Sequence, residues 1–599
     1  MATQPTNLPV TSESPRDLKF NAGKIDEFVT SMGWAYTDRF DQQHYTIEGL
    51  RWLAQQAIAA YGYITQDSFE DGNTLTLPNQ VLRLEASGEY YRWDGAFPKT
   101  VPANSTPETT GGIGTGKWLS VGDATLRGDL ATGQQAALIG YEDGTVKSAL
   151  DELSAASAEL SAKTGFNAVG RFLNLAELRA QAPSSTGQIV YVASAASATA
   201  AEKHYGGGYF QSFDNSTSAL PDDGGIYIIP STGTVGWKRI MFTELDMTFW
   251  GVKPDSGIDN SAEILKAMTY VRSNKTTIRF PAGVVTSTQA LPIWSECTIV
   301  GHGREVSQFV KTTNNGWPVA SGVNIDALCV CLPDVYNPSG YTMDTFCMRP
   351  RIKGISLRRG SFTFANRSTY GIWGHKLAQA HFSEMLVLAA NYGFYSINCF
   401  LMIQEQVSYS GVQGSYAGVY VASTLAGTYS RSGTTCNFIQ VSVSGYNFGF
   451  FIAGLDSTRL TQCAAEGISL AAGESVACAY SWVNPMNCMM DCCYTEGVNG
   501  TMLRVINANN VSIANSLVVN CFNITPGETF TNPTRLISID SASLGTLKVT
   551  FIGGDIRNAA VGAGNMLPPI ASGSNCVVKL IGGLSNSWDL SGGATYTEI

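Results

Sequence analysis

Charge is what this chain most lacks. Lys, Arg, Asp and Glu make up 14% of its 599 residues, and acids outnumber bases 48 to 38. Phosphate recognition needs a basic footprint, so a formal charge of −10 argues against wholesale nucleic-acid binding. No apolar run reaches the roughly 18 residues of a membrane-spanning helix, so no membrane insertion is expected. The opening MATQPTNLPVTSESPRD has no basic region followed by an apolar core and does not read as a secretory leader. Histidine is scarce, at five residues, and none stands near enough in sequence to the cysteines to complete a zinc pattern. All 13 cysteines lie at or beyond Cys297, in spacings such as Cys329/Cys331 and Cys492/Cys493 that match no metal motif. An odd number without a leader points to reduced thiols buried as small apolar side chains. No metal and no cofactor is expected.

Glycine is abundant, at 62 residues, and Ser, Thr and Asn are plentiful, a composition of turns and extended chain. One phrase recurs between 371 and 510: a small residue, a short apolar or aromatic run, a polar corner, and a second β-rich run. Its first runs start at Gly371, Gly393, Gly418, Gly449, Ala479 and Met502, in steps of 22, 25, 31, 30 and 23 residues. Periods of this kind, made of short strands without helices, define a β-solenoid in which each coil buries its face against the next. A solenoid offers a long, rigid flank, a shape that suits a polymer better than a small metabolite.

Several domains are expected at this length, on a prior of about 150 residues each. Residues 1 to about 125 read as a separate module. Within it Thr46 to Gly62 predicts an amphipathic helix, with Ile47, Leu50, Ala54, Ala57, Ile58 and Tyr61 on one face. The following TTGGIGTGKW reads as a turn rather than a phosphate loop, because no βαβ unit surrounds it. Residues 126 to 165 are helix-prone, and Val146, Leu150, Leu153, Ser157 and Leu160 keep heptad-like spacing. That segment is either a neck joining parallel chains or a single surface helix. Residues 166 to 245 read as a small β-rich domain, and the solenoid begins near 246, with Ser261 to Val271 a short helix to cap its open first coil. The last 60 residues lose the coil pattern in sequence.

Three segments carry a resemblance. Residues 88 to 153 (GEYYRWDG through TVKSALDEL) resemble the virion-anchoring part of bacteriophage tailspikes and tail fibres. GGGYF, DDGGIYIIP and GWKRI resemble the small β domain that often follows it. LDMTFWGVKPDSGIDNSAEILKAMTYVRSNKTTIRFPAGVVTST resembles the opening of the pectate-lyase-like β-helix of tailspikes. Gly251, Asp255, Gly257, Asp259, Phe280, Pro281, Ala282 and Gly283 are kept, while Trp250, Lys253-Pro254 and Asn260 depart from the usual form, which has a second acid at the last position. The resemblance implies a mostly β protein: a right-handed parallel β-helix over 246–540 with a receptor-binding and depolymerase groove. Ahead of it would stand a virion-attachment domain at 1–125, a helical neck at 126–165 and the small domain at 166–245; a C-terminal β cap or trimer contact would occupy 541–599. It further implies a homotrimer in the phage tail, made in the host cytoplasm, joined to the baseplate or another tail protein through its N-terminal part. Such a protein binds, and usually depolymerises, a bacterial surface polysaccharide.

Glycoside hydrolysis needs one carboxylic acid to protonate the leaving oxygen and one carboxylate as base or nucleophile. Strands on successive coils stand about 4.8 Å apart, so outward acids on neighbouring coils meet the spacing. Glu466 in TQCAAEGIS and Glu496 in MMDCCYTEGVNG are 30 residues apart and each precedes a glycine. They form a catalytic pair if the coils align that way, and are otherwise solvated turn acids. Setting Gln462 opposite Asp491 instead would slip the register by one and place Glu466 opposite Thr495. Asp491, Asp456 and Glu405 are further candidates, although Glu384, Glu405, Gln440, Gln462 and Asp491 also read as a stacked polar corner. A second constellation is basic: Arg349, Arg351, Lys353, Arg358, Arg359, Arg367 and Lys376, with His375 and His381, against the single acid Asp344. Such a patch attracts polyanions and favours an acidic glycan. It also admits a lyase, in which a cation neutralises a uronate and a base removes the adjacent proton; solvated arginines or trimer contacts are the plainer reading. Trp317, Tyr336, Tyr341, Tyr370, Trp373, Tyr395, Tyr409, Tyr429 and Trp482 offer faces for sugar stacking or for packing. Three functions stay open: a hydrolase, a polysaccharide lyase, and an adhesion fibre that binds without cutting.

Overall fold

The computed structural model describes residues 4–121, 140–141, 144–161, 170–183, 185–198, 202–320, 322–335, 345–423, 433–471, 473–508, 514–526, 534–541, 545–556, 566–582 and 588–599. The chain divides into two compact units, Met1–Ala162 and Lys163–Ile599.

In the first unit the amphipathic segment forms the helix Ile47–Tyr61, yet Ile47, Leu50 and Leu53 stay exposed. A sheet of Ile64–Ser68, Gln80–Arg83, Tyr90–Trp93 and Trp118–Ser120 closes over Phe69, Leu82, Tyr91 and Trp118, with Phe69 edge-on to Trp118 at 4.7 Å. The heptad segment forms the helix Val146–Ser161, with Leu150 and Leu153 exposed.

The second unit opens with a five-stranded sheet, in the order Arg171–Asn174, Ile189–Ser194, Gly208–Asp214, Val235–Ile240, Tyr227–Ile228. The helix Ser261–Asn274 then buries Ile264, Ala267, Met268 and Val271 over the first coil, covering apolar edges that a solenoid otherwise leaves bare. Asn260 just before it is fully buried. Its amide accepts from the Lys253 N–H at 2.7 Å and donates to the Ile258 and Thr286 carbonyls at 3.0 and 3.2 Å. A carboxylate could not donate those last two bonds, which accounts for the departure at this position.

Beyond it the chain winds into a parallel β-helix with three long flanks. The first contains Ser307–Lys311, Ser356–Arg359, Leu386–Leu388, the start of Ser408–Ala422, the start of Ser442–Ala453, Ala464–Glu466 and Tyr494–Val498. The second contains Ser368–Gly374, Ala390–Ile397, the ends of the two longest strands, Cys478–Val483 and Thr501–Asn507. The third runs from Leu245–Asp246 to Thr595–Glu598. Parallel pairing continues past residue 541 through Leu547–Ile552, Cys576–Ile581 and Thr595–Glu598, so the stack extends where the sequence loses the repeat.

The six repeat starts stand in one register: Tyr370 pairs with Tyr392, Phe394 with Val419, Val419 with Phe450, Phe450 with Tyr480, and Tyr480 with Leu503. Glycine recurs there because the neighbouring coil presses on it. A Cβ on Gly371 would lie 2.3 Å from the Gly393 carbonyl oxygen, and one on Gly418 would lie 1.9 Å from a Val443 methyl.

The corner between the third and first flanks is constant. Glu384, Gln406, Gln440, Gln462, Cys492 and Cys521 all take left-handed φ, between 47° and 54°, and each donates its N–H to a carbonyl of the next coil. The sequence alignment is corrected here by one residue at two coils: the turning positions are Gln406 and Cys492, each just after Glu405 and Asp491. Ser383, Glu405, Ile439, Thr461 and Asp491 pair in sequence on the third flank, and Leu388, Ser410, Ser444, Glu466 and Glu496 pair in sequence on the first. The corner therefore has the same length in every one of these coils. Eleven cysteines are buried, and Cys492 and Cys521 are exposed.

Candidate functional site

On the first flank alternation sorts the side chains. Leu357, Val387, Tyr409, Val443, Ala465 and Thr495 form the inward row and are buried. On either side of it run two outward rows. One is Ser408, Ser442, Ala464, Tyr494; the other is Arg358, Leu388, Ser410, Ser444, Glu466, Glu496. Glu466 and Glu496 are thus direct neighbours on adjacent strands, resolving the register in favour of the 30-residue step. Gln462 turns the corner beside Cys492, while Asp491 pairs with Thr461.

The Tyr494 hydroxyl donates to Glu466 Oε1 at 2.9 Å. Burial, the Glu466 hydrogen bond and the charges of Glu466 and Glu496 push this phenol up to about 12, so it remains a proton donor at neutral pH. Tyr494 is a member that sequence reasoning passed over. Its signal was present, since it lies two residues before Glu496 and so shares its face.

Further up the same flank the surface is polar. Ser442 and Ser408 are linked at 2.8 Å, Ser444 and Ser410 at 3.3 Å, and Arg304 Nη1 donates to Ser408 Oγ at 3.2 Å. A groove of about 540 Å³ there is lined by Arg304, Glu384, Gln406, Ser408 and Gln440. Gln406 Nε2 donates to Gln440 Oε1, and Gln440 Nε2 to Gln462 Oε1, each at 3.1 Å.

The other candidate acids lie elsewhere. Asp491 ends a third-flank strand and accepts from Asn520 Nδ2 at 2.6 Å. Glu405 ends another, with His381 Nε2 at 3.8 Å, too far for a hydrogen bond. Asp456 lies in a separate sheet of short strands, held by Ser457 at 2.9 Å and Asn487 at 3.3 Å.

The basic stretch does not form one patch. Arg349 sits at a corner and pairs with Glu296, and Lys353 on the third flank pairs with Glu384 at 3.1 Å. Arg358 faces outward on the first flank, bonded to Gln308 at 3.2 Å. Arg367 covers the Phe364 ring, 3.4 Å from its centroid, and Lys376 approaches Phe346. Arg359 and His375 are buried, and the Arg359 guanidinium serves the carbonyls of Asn366 and Thr313, which removes both from the surface expected of sugar ligands.

Three aromatic expectations are corrected in the same way. Tyr409 lies in the inward row, its hydroxyl on Gln404 Oε1 at 2.9 Å; Trp482 points into the core, 3.2 Å from the Met490 sulfur; Trp373 is 2% exposed. Trp317 is also buried, whereas Tyr370 and Tyr395 are half-buried and in ring contact at 4.7 Å. Tyr336, Tyr341 and Tyr429 lie outside the described residues.

Comparison with known proteins places these features. Residues 56–123 match the family described as the tail spike TSP1/Gp66 receptor binding N-terminal domain. Residues 171–242 match the phage tail protein small four-stranded β-sheet domain. Two phage-tail modules ahead of a parallel β-helix define the class, a component of a phage tail. Over 109 residues the chain is 37% identical to a capsule KL64-specific depolymerase of Klebsiella phage P510, a stretch that is 18% of this chain and 11% of that protein. The chain thus aligns with only about a tenth of that depolymerase. In fold it is similar to the gp42 tailspike of Acinetobacter phage vb_AbaP_AS12, with TM-score 0.56 at 16% identity over 72% of this chain and 74% of that one. It is also similar to the enzymatically active domain of tailspike protein 2 of Bacteriophage CBA120, with TM-score 0.53 at 13% identity over 72% and 60%. The chain thus carries two domains that match phage-tail families and a parallel β-helix of the fold seen in solved tailspikes.

Proposed function

We propose that this tailspike binds a bacterial surface polysaccharide, capsule or O-antigen, and depolymerises it by endo-acting hydrolysis at Glu466 and Glu496. The observation that carries the reading is their adjacency in the outward row of a polar flank, with Tyr494 orienting one of them. In this scheme Glu466, held by the phenol, is the carboxylate nucleophile, and Glu496 is the acid that protonates the leaving oxygen. Adjacent strands are about 4.8 Å apart, nearer the roughly 5–5.5 Å of a retaining pair than the roughly 6.5–9.5 Å of an inverting one. Arg304 and Arg358 place cations on the same flank and favour an acidic repeat. The β-elimination reading has less support, because Arg349, Lys353 and His381 already face Glu296, Glu384 and Glu405. The chain would act as a homotrimer joined to the tail through its N-terminal part, and the exposed heptad positions Leu150 and Leu153 favour such self-association.

Incubation of the purified protein with host capsule or lipopolysaccharide tests the reading. Hydrolysis yields shorter chains with new reducing ends that keep the original anomeric configuration. Products with the ultraviolet absorption of an unsaturated uronate would replace it by a lyase, and no shortening would leave an adhesin. Mass in solution tests the trimer, and a species of 64.0 kDa would refute it.

A further inference from the structure

The corner ladder changes chemistry at its far end. After Gln406, Gln440 and Gln462, linked by their amides, the next two rungs are Cys492 and Cys521. They occupy the same left-handed position one coil apart, with φ of 48° and 47°. The Cys492 N–H donates to the Asn520 carbonyl at 3.0 Å, and the Cys521 N–H to that of Ile552 at 2.8 Å. The preceding residues Asp491 and Asn520 pair in parallel register. The two Cα atoms are therefore one rung apart, about 4.8 Å, inside the roughly 4.4–6.8 Å window of a disulfide. These two are the exposed thiols of a chain whose other cysteines are buried. Burial and the Asp491 carboxylate push the Cys492 thiol up, and the Cys521 thiol is close enough to add to the shift.

We propose that Cys492 and Cys521 are a redox-modification site that closes into a reversible inter-coil disulfide on meeting a small-molecule disulfide such as oxidised glutathione. One protein thiolate attacks the small disulfide, forming a mixed disulfide and releasing one glutathione thiolate. The second protein thiolate attacks the protein sulfur of that mixed disulfide, forming the Cys492–Cys521 bond and releasing the second glutathione. Two protein thiols are oxidised, and their two protons and two electrons end on the two glutathione thiols. Both sulfurs lie on the surface, within reach of a reductant, so the bond is reversible. When closed it ties the coil that carries Tyr494 and Glu496 to the next one.

Brief N-ethylmaleimide labelling of the reduced native protein is expected to add two groups. After treatment with oxidised glutathione it should add none, and the intact mass should carry no glutathionyl group. Cys492→Ser and Cys521→Ser should each take one maleimide when reduced and retain one glutathionyl group when oxidised. A proteolytic map of the oxidised wild type, which needs no variant, should show the two cysteine peptides joined and released by reductant. Glutathionyl groups persisting on both cysteines of the wild type, or thiols that resist either reagent, would overturn the proposal.

Discussion

Two charged regions of the β-helix differ in what meets their charges. Around residues 349–381 the acids come from other coils: Glu296 meets Arg349, Glu384 meets Lys353, and Glu405 approaches His381. On the first flank two glutamates stand side by side, and a phenol rather than a cation meets one of them. Like charges directly opposed on neighbouring strands cost stability, and paired ones repay part of their cost. The difference separates charges met by opposite charges from two carboxylates met only by a phenol, the contrast on which the proposed hydrolysis rests.

The sharpest way to break this contrast is to neutralise the unpaired side. Glu466→Gln and Glu496→Gln should each lower polysaccharide cleavage by about 10²–10⁴-fold, read as reducing ends, while glycan binding persists. Activity retained in both would reduce the pair to solvated turn acids. Of similar size, but in stability rather than rate, Trp482→Ala should cost about 3–5 kcal/mol by denaturant unfolding, as an inward aromatic must. A loss of glycan affinity with unchanged stability would instead return Trp482 to the surface. Tyr494→Phe should lower the cleavage rate by about tenfold, the worth of one hydrogen bond to a charged group, and leave folding nearly unchanged. The smallest effect belongs to the paired side. Lys353→Ala should shift stability by no more than about 1 kcal/mol and leave the cleavage rate within about twofold. A large fall in activity there would reopen the lyase reading.

Much of the architecture was legible in the spacing of residues. The starts at Gly371, Gly393, Gly418, Gly449, Ala479 and Met502 fall in register, and at the four glycines the neighbouring coil leaves no room for a Cβ. The Glu466–Glu496 step follows the 30-residue step from Gly449 to Ala479, and the pairing decides it over the one-residue slip that the sequence left open. What failed was reasoning from neighbours in sequence. Polar type alone aligned Glu405 and Asp491 with the corner, although the left-handed residue is the next one. Counting cations from 349 to 376 ignored the acids that arrive from other coils. Counting aromatics ignored alternation, which in Ser408-Tyr409-Ser410 already assigns the ring to the interior.

The constant corner has a consequence for how such a protein changes. Coils from Ser383 to Asp491 advance by 22, 34, 22 and 30 residues, yet each crosses from the third to the first flank in the same number. Variation in coil length falls after the first flank: twelve residues separate Glu466 from Cys478, but five separate Glu496 from Thr501, the pairing partner of Cys478. Insertions there can be acquired, traded or lost while the register of the outward rows on the first flank stays fixed. The periphery of such a winding can therefore be rewritten in large steps without disturbing the strand-to-strand spacing along that flank.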